Sequence, residues 1–419
     1  MSKINFEVHQ LTRVEGHGNI KIEVNDGKVE KVLWEVTESP RFFETMLLNR
    51  PWHDVHVLAS RICGICSVSH QIASLEATES AFGLQPSEQT ILLRKLLYAG
   101  EVIESHTLHI YLLALPDFFG VGSIIPIINK ESVLRGLSLK KLGNEIMQII
   151  GGRAVHPQAP RVNGFGRLPR REDLEYLQKR LQDCIPGLIE AVQLFKSFEL
   201  PDFCRETEYL ALKNPNEYAM IRGDLSSSDT GLAAVEKYPE IITEFSVPQS
   251  TAKFARHARE SLAVGALARI NTNYDRLRPM AKEAAGELNL KPPCYNPFMN
   301  NLAQIVEIVQ EIEESLNIIE QLLGAGIHQE DVLIEPRAGH GIGIVEAPRG
   351  LLIHDYTYNS QGYIVKANCI IPTNLNHANI QRDLEALVAK NLNRGQGELR
   401  RLCEMLVRSY DPCISCSTH

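Results

Sequence analysis

Two C-x-x-C pairs stand near opposite ends of this chain. Cys63-Gly64-Ile65-Cys66 is followed by His70, and Cys413-Ile414-Ser415-Cys416 by the last residue, His419. The two-residue loop of such a pair turns both thiolates to one side. Each pair therefore offers two soft sulfur ligands, and two pairs together can complete a four-thiolate metal site. Structural zinc is the usual occupant of paired C-x-x-C motifs. Zinc ribbons, however, space their pairs by roughly 15–20 residues, because there the metal closes a small fold. Here almost the whole chain separates the pairs, and a chain of this size has core enough without a metal staple. Spacing leaves three readings open: structural zinc, a redox metal centre, or two independent pairs. The other five of the nine cysteines are isolated: Cys184, Cys204, Cys294, Cys369 and Cys403. As small, weakly polar residues they are expected to serve packing.

The rest of the composition sets the background for that chemistry. Of 419 residues, 44% are hydrophobic, 22% charged and 6% aromatic, which excludes a disordered chain, a collagen-like chain and a small disulfide scaffold. Forty-three basic against fifty-one acidic residues leave a net charge of −8, which argues against nucleic acid as the main partner. The N-terminal stretch MSKINFEVHQLTRVEGHG has no apolar core of signal-peptide length, so no secretion signal is expected. The most apolar run, Leu108 to Asn129, is broken by Pro116, Asp117, Gly120, Gly122 and Pro126. A membrane span needs about 20 consecutive apolar residues, so none is expected. The chain reads as cytosolic, where paired cysteines more often bind metal than form structural disulfides. A partner bearing a signal could still carry the folded chain across a membrane.

Several elements must bring the two pairs together. Residues 18–37 alternate apolar and polar around Asn25-Asp26-Gly27 and predict a β-hairpin. Helical spacing begins at Ser87, a candidate cap, and runs to Leu115 with Ile91, Leu92, Leu96 and Leu97 on one face. It recurs at 132–150, 171–199, 253–284, 300–325, 378–392 and 396–409, with Pro186 expected to kink or split the second of these. Three short strands are predicted between Gly341 and Ile371, punctuated by Pro348-Arg349-Gly350 and Ser360-Gln361-Gly362. No repeat or low-complexity linker interrupts the chain. The expected fold class is mostly α (α+β): a central helix bundle with β segments near both ends, as a single domain over residues 1–419.

The residues flanking the cysteines narrow the metal readings. Arg61-x-Cys63-Gly64-x-Cys66-x-x-x-His70 with Asp411-Pro412-Cys413-x-x-Cys416-x-x-His419 resembles the paired signatures of the nickel–iron hydrogenase large subunit. Four further elements resemble that family in the same order. They are Arg13-Val14-Glu15-Gly16-His17, Pro40-Arg41-Phe42-Phe43-Glu44 (Phe42 where glycine is commoner), Glu346-Ala347-Pro348-Arg349-Gly350 and Ile371-Pro372-Thr373. The resemblance implies a nickel ion bridged to an iron that carries one carbon monoxide and two cyanides. It implies Cys63 and Cys413 as terminal nickel ligands, and Cys66 and Cys416 as the bridges to iron. Four thiolates are donors that suit both metals. Glu15 would be the first proton relay and Arg349 a fixed positive charge over the cluster, hydrogen-bonding towards cyanide. Ala347 and Pro348 would form a dry wall, Pro372 and Thr373 would contact the other cyanide, and Asp411 could hold Arg349. His70 would donate to a bridging thiolate. Glu44, the main-chain carbonyl of Cys369 and His419 would hold a magnesium or ferrous ion. On the family pattern, a C-terminal extension is cut off after this histidine, so the chain is expected to be the matured form.

One position departs from the pattern. Where many members carry Asp-His in the helix after the first cysteine pair, this chain has Ser105-His106, so either Asp411 alone braces Arg349 or Glu104 substitutes. The Glu104-Ser105-His106-x-Leu108-His109 form is similar to the cytosolic, multisubunit branch coupled to NAD(P), ferredoxin, a deazaflavin or heterodisulfide. The chain shows no G-x-G-x-x-G after a strand, no P-loop and no cysteine-rich run for iron–sulfur clusters. An iron–sulfur small subunit is therefore the implied partner, with flavin or iron–sulfur acceptor subunits beyond it. The implied activity is reversible cleavage of H2 to protons and electrons. A regulatory hydrogen sensor and a hydrogenase-like quinone-module subunit of a respiratory complex are the alternatives. The latter class has lost the four cysteines that this chain keeps.

Overall fold

A computed structural model describes residues 4–128, 130–330 and 333–419. The expected hairpin forms as part of a three-stranded antiparallel sheet: β1 (Ile4–Val8), β2 (Gly18–Asn25) and β3 (Lys28–Val36). Asp26 and Gly27 make its two-residue turn, both at positive φ (50° and 75°), which matches the twist of the flanking strands. Two short helices, α1 (Phe43–Leu47) and α2 (Trp52–Ala59), then lead to the first cysteine pair.

The helical body follows. α3 (Ser67–Phe82) starts directly after Cys66, and α4 (Glu88–Thr107) is capped by Ser87, whose side chain accepts the Thr90 N–H at 3.0 Å. The sequence predicts regular helix to Leu115. Instead a π-helical segment, Leu108–Ala114, intervenes before α5 (Leu115–Phe118). Within the widened turn His109 meets both Gln304 (2.6 Å) and the Arg408 carbonyl (2.8 Å), contacts that offset the poorer backbone geometry. α6 (Glu131–Gly151) packs on α4, and a small hairpin, β4 (Pro160–Arg161) and β5 (Gly164–Phe165), leads to α7 (Arg171–Lys196). Pro186 does not split α7. It sits on the exposed side, where water can satisfy the freed carbonyl.

The middle of the chain adds strands that the sequence does not announce. β6 (Glu208–Lys213), β7 (Asp224–Ser227) and β8 (Gly231–Ala233) are followed by α8 (Tyr238–Ile241), β9 (Thr243–Phe245), β10 (Phe254–Arg256) and β11 (Leu262–Ala263). Four of these form a sheet in the order β11-β6-β7-β8, with β11 parallel to β6. The helix expected over 253–284 is therefore corrected. Its first third is β10 and β11, and the helical part is α9 (Ala266–Asn273), a single 3-10 turn at Tyr274–Arg276 and α10 (Pro279–Glu287). Gly265, at φ 113°, breaks any continuation upstream of α9 and brings its backbone against the Arg349 carbonyl.

α11 (Asn300–Ala325) forms over the range its periodicity predicts. β12 (Gly339–Ala347), β13 (Gly350–Tyr358) and β14 (Ile364–Ile370) make an antiparallel meander, and α12 (Pro372–Lys390), α13 (Gln396–Ser409) and α14 (Ile414–Ser417) complete the chain. α3 lies almost in contact with β12. A Cβ on Gly343 would stand 2.0 Å from the Ala73 carbonyl oxygen, and one on Gly341 2.1 Å from that of Ala77. The principal core joins α3, α4, α6, α7 and α11 to the meander. A second core lies between the N-terminal sheet, where Ile20, Ile22 and Trp34 are buried, and α12 and α13.

Candidate metal centre

The two ends of the chain meet at the cysteines. Glu15 and Cys413 form a parallel β-bridge, in which the Ile414 N–H donates to the Glu15 carbonyl at 2.9 Å. The Cys413 N–H donates to Thr373 Oγ1 at 3.0 Å, and Pro372 opens α12 beside it. On the other side Cys63 follows a single helical turn, and Cys66 occupies the position that starts α3. The four sulfurs of Cys63, Cys66, Cys413 and Cys416 all lie within 4.8 Å of one another, and all four residues are buried. Cys63 and Cys413 are 3.7 Å apart, Cys66 and Cys416 4.0 Å, and the Cys413 and Cys416 sulfurs are in direct, bonding contact. Ligation by all four sulfurs requires that last pair as thiolates.

The surroundings favour negative charge on sulfur. The backbone N–H groups of Ile65 and Cys66 donate to Cys63 Sγ at 3.3 and 3.2 Å. A hydrogen bond from the Cys66 thiol lowers the Cys63 pKa against the opposing effect of burial, and the Arg349 charge adds to it. The same bond and burial push Cys66 up. Arg349 stands at the tip of the β12–β13 hairpin, where Ala347 pairs with Gly350, so the backbone aims its side chain at the cysteines. Its Nε donates to the Asp411 carbonyl at 2.8 Å and one terminal nitrogen to Asp411 Oδ1 at 3.0 Å. Burial opposes the Arg349 charge, but Asp411 and the nearby thiolates outweigh it and raise its pKa. Of the two braces considered for Arg349, Asp411 makes the contact, with the Ser105 hydroxyl 3.4 Å from the guanidinium. Glu104 turns away to Lys140, at 2.5 Å. Gln304 fixes the other Asp411 oxygen at 3.1 Å.

Glu15 runs along the second cysteine loop, accepting the Ser415 N–H at 3.0 Å and the Ser415 hydroxyl. His70 is buried, but its Nδ1 pairs with His354 Nε2 at 3.0 Å rather than with a cysteine. Further along, Glu44 Oε1 accepts the Cys369 N–H at 2.8 Å and lies 3.4 Å from His419 Nε2. Burial pushes the Glu44 carboxyl up, yet the His419 and Cys369 contacts outweigh it and lower its pKa. His419 Nδ1 is buried with no hydrogen-bond partner among the described residues. A carboxylate facing one nitrogen of an imidazole whose other nitrogen is unsatisfied is a donor set that a divalent cation fits. Of the isolated cysteines Cys369 and Cys403 are buried, Cys184 and Cys294 half-buried, and Cys204 is exposed, outside the packing role expected of it.

Some residues at the site escaped the sequence reading. Arg269 is fully buried, donates to the carbonyls of Ala347 (2.9 Å) and Pro348 (3.0 Å), and is held by Glu307 (2.6 Å) and Glu346 (3.1 Å). It thereby fixes the backbone that carries Arg349. Glu101 accepts the N–H groups of Val68 (2.6 Å) and Ser69 (3.0 Å), capping α3 just beyond Cys66. The one available signal was helical spacing: Glu101 and Ser105 are four residues apart in α4, Glu307 three beyond Gln304 in α11.

Comparison with known proteins bears on this geometry. The family model described as nickel-dependent hydrogenase matches residues 41–132 and 234–419, and a HoxL-like model matches residues 5–39. The alpha chain of sulfhydrogenase 1 from Pyrococcus furiosus is 36% identical, over 98% of this chain and 97% of its own length. The alpha chain of sulfhydrogenase 2 from the same organism is also 36% identical, over 99% of this chain and 98% of its own. Among solved structures, an NAD+-reducing [NiFe]-hydrogenase in the H2-reduced state superposes with a TM-score of 0.88 and 25% identity, over 99% of both chains.

Proposed function

The chain belongs to the nickel-dependent hydrogenase family, as the large catalytic subunit of a nickel–iron hydrogenase, and from that premise we propose how its residues do the work. The observation that carries the proposal is the convergence of four buried sulfurs within 4.8 Å beneath an arginine braced by Asp411. Cys63 and Cys413 would serve as terminal ligands to nickel, and Cys66 and Cys416 as ligands shared with iron. When bound, a nickel–iron centre would supply the Lewis acidity and redox capacity for heterolytic cleavage of H2. Arg349 would offer guanidinium protons to a cyanide and compensates the negative charge of the buried thiolates. Thr373 and Pro372 border the site opposite it, and Ala347 and Pro348 line its dry wall. A terminal thiolate holds the proton first, and Glu15 passes it on. Its place along the Cys413–Cys416 loop supports that order. His70 steadies the bridging side through its pairing with His354.

Glu44, the Cys369 carbonyl and His419 would hold a magnesium or ferrous ion, and so tie His419 to α1 and β14. The whole chain, 1–419, acts as one domain in the cytosol. No described helix is long and apolar enough to cross a membrane. Electrons leave to an iron–sulfur small subunit, then to flavin or iron–sulfur subunits that serve a soluble acceptor.

Metal analysis of the purified complex tests this reading. About one nickel and one cluster iron per chain, with infrared bands of metal-bound carbon monoxide and cyanide, are expected. The Cys413→Ser variant should lose nickel and hydrogen turnover, and Cys184→Ser should keep both. Zinc in place of nickel, or equal effects of the two variants, would sink the assignment.

A further inference from the structure

α4 and α11 each carry a line of polar side chains, buried except at its outermost residue, and the two lines face each other. On α4 the line is Lys95, Tyr98, Glu101 and Ser105, and on α11 it is Gln304, Glu307, Glu311 and Glu314. Steps of three and four residues keep each line on one helix face. The helices are antiparallel, so both lines begin at the metal site and end at the surface. Ser105 and Gln304 meet the Arg349–Asp411 pair, and His106 bonds Glu307 across the interface at 2.7 Å. At the far end Lys95, Tyr98, Glu311 and Glu314 share a cavity of about 30 Å³. From Ser105 to Lys95 the helix rises about 15 Å.

That cavity can hold water, since about 10–15 Å³ suffices for one molecule with polar partners. The Tyr98 hydroxyl, which borders it, is wholly buried and has no hydrogen-bond partner among the described residues. Glu311 is buried, with no ion pair to a cation among the described residues. The cavity opens into a surface cleft of about 540 Å³ that shares Lys95, Glu217, Tyr218, Gln310 and Glu314 with it. The Lys95–Glu217 ion pair marks the mouth. At the inner end Glu101 accepts the Ser69 hydroxyl, and Ser69 neighbours Tyr98. Burying so many polar groups between two helices costs stability unless they are put to use.

We propose that the facing polar lines of α4 and α11 form a proton conduit from the four-cysteine site to solvent, with Glu311 as its relay group in the cavity. The proposal rests on the hydrogenase reading and adds to it a second route, separate from Glu15. Each hop moves one proton and no electron. Glu101, close enough to feel the charge of Cys63, takes the proton that leaves the thiol and passes one through Ser69 to Tyr98, whose own hydroxyl proton goes to cavity water and on to the Glu311 carboxylate. Glu311 releases it to water in the cleft. Burial, with Glu314 and Glu307 nearby, pushes the Glu311 carboxyl up to about 8 against the pull of Arg269 and Lys95, so both its forms are available near neutrality.

The test uses Glu311→Gln and Glu311→Asp in the complete complex. Glu311→Gln should retain nickel and the infrared bands of the metal ligands and, in a Glu15→Gln background where this conduit carries the remaining protons, should cut the residual H/D exchange about a further tenfold. Glu311→Asp should recover most of the rate. Infrared difference spectra of the complex should show a buried carboxyl band that titrates near neutrality and vanishes in Glu311→Gln. That readout judges the conduit even where nickel–iron chemistry fails, a failure that would show instead as missing metal bands in the unaltered complex. Residual exchange unchanged by Glu311→Gln in the Glu15→Gln background, or no titrating band in the unaltered complex, overturns the proposal.

Discussion

Glu15 touches the second cysteine loop three ways: through a backbone bridge, through the Ser415 N–H and through the Ser415 hydroxyl. An amide in its place can still accept the Ser415 N–H but cannot carry a proton. Glu15→Gln is therefore expected to assemble the metal centre yet slow H/D exchange with solvent by roughly 10²–10⁴, read by mass spectrometry of the hydrogen isotopologues. Exchange at the unaltered rate would remove Glu15 from the proton path. At this scale the sequence was partly legible. Glu15 stood out only through its Arg-Val-Glu-Gly-His setting, whereas Glu101 and Glu311 looked like any glutamates of helical segments. An acidic residue in a helix is most often solvated, and its burial depends on what packs over it.

Between residues and molecule, the contact of α3 with β12 positions Cys66. Strand residues Gly339, Gly341 and Gly343 have no side chains on that face, and the carbonyls of Ala81, Ala77 and Ala73 fill the space. Gly343→Ala would force a methyl group to 2.0 Å from the Ala73 oxygen, so the helix must lift. The expected cost is about 1–3 kcal/mol of stability, measured by denaturant unfolding, together with weaker nickel retention because the start of α3 moves with it. Full nickel occupancy in that variant would show that α3 does not set the cysteine geometry. Elements with long, regular patterns were legible: α11 spans the range read from its apolar spacing, and the β2–β3 hairpin has the turn that Asp26-Gly27 predicts. The strands β6 to β11 were not. Segments of two to six residues carry too few alternations to reveal a period, and β11 pairs with β6 although the two are far apart in the chain. In 253–284 the apolar residues also fit helical spacing until Gly265 and the strand partners overrule it.

For the molecule as a whole, the decisive act is bringing both chain ends to one place. Asp117 does part of this by accepting Arg13 at 2.6 Å and Arg408 at 2.7 and 2.9 Å, which ties the segment before Glu15 to the helix before Cys413. Asp117→Asn leaves two guanidinium groups without their carboxylate, Arg408 fully buried. The expected loss is about 3–5 kcal/mol, seen as a lower thermal midpoint, with nickel retention falling in step. A midpoint within error of the unaltered chain would show that the ends are held by other contacts. By itself the sequence determined which donor groups are on offer: four cysteines in two C-x-x-C pairs, the Glu15 and Arg349 motifs, and the helices and hairpins whose periods are long enough to read. Those properties are local, set by residue type and spacing. Only the tertiary structure decided which groups share the site, including the Asp411 brace on Arg349, the His70–His354 pair, the Arg269 support and the buried polar seam of α4 and α11. Each depends on segments far apart in the chain, and the energy of a buried charge is fixed by partners that no local spacing names.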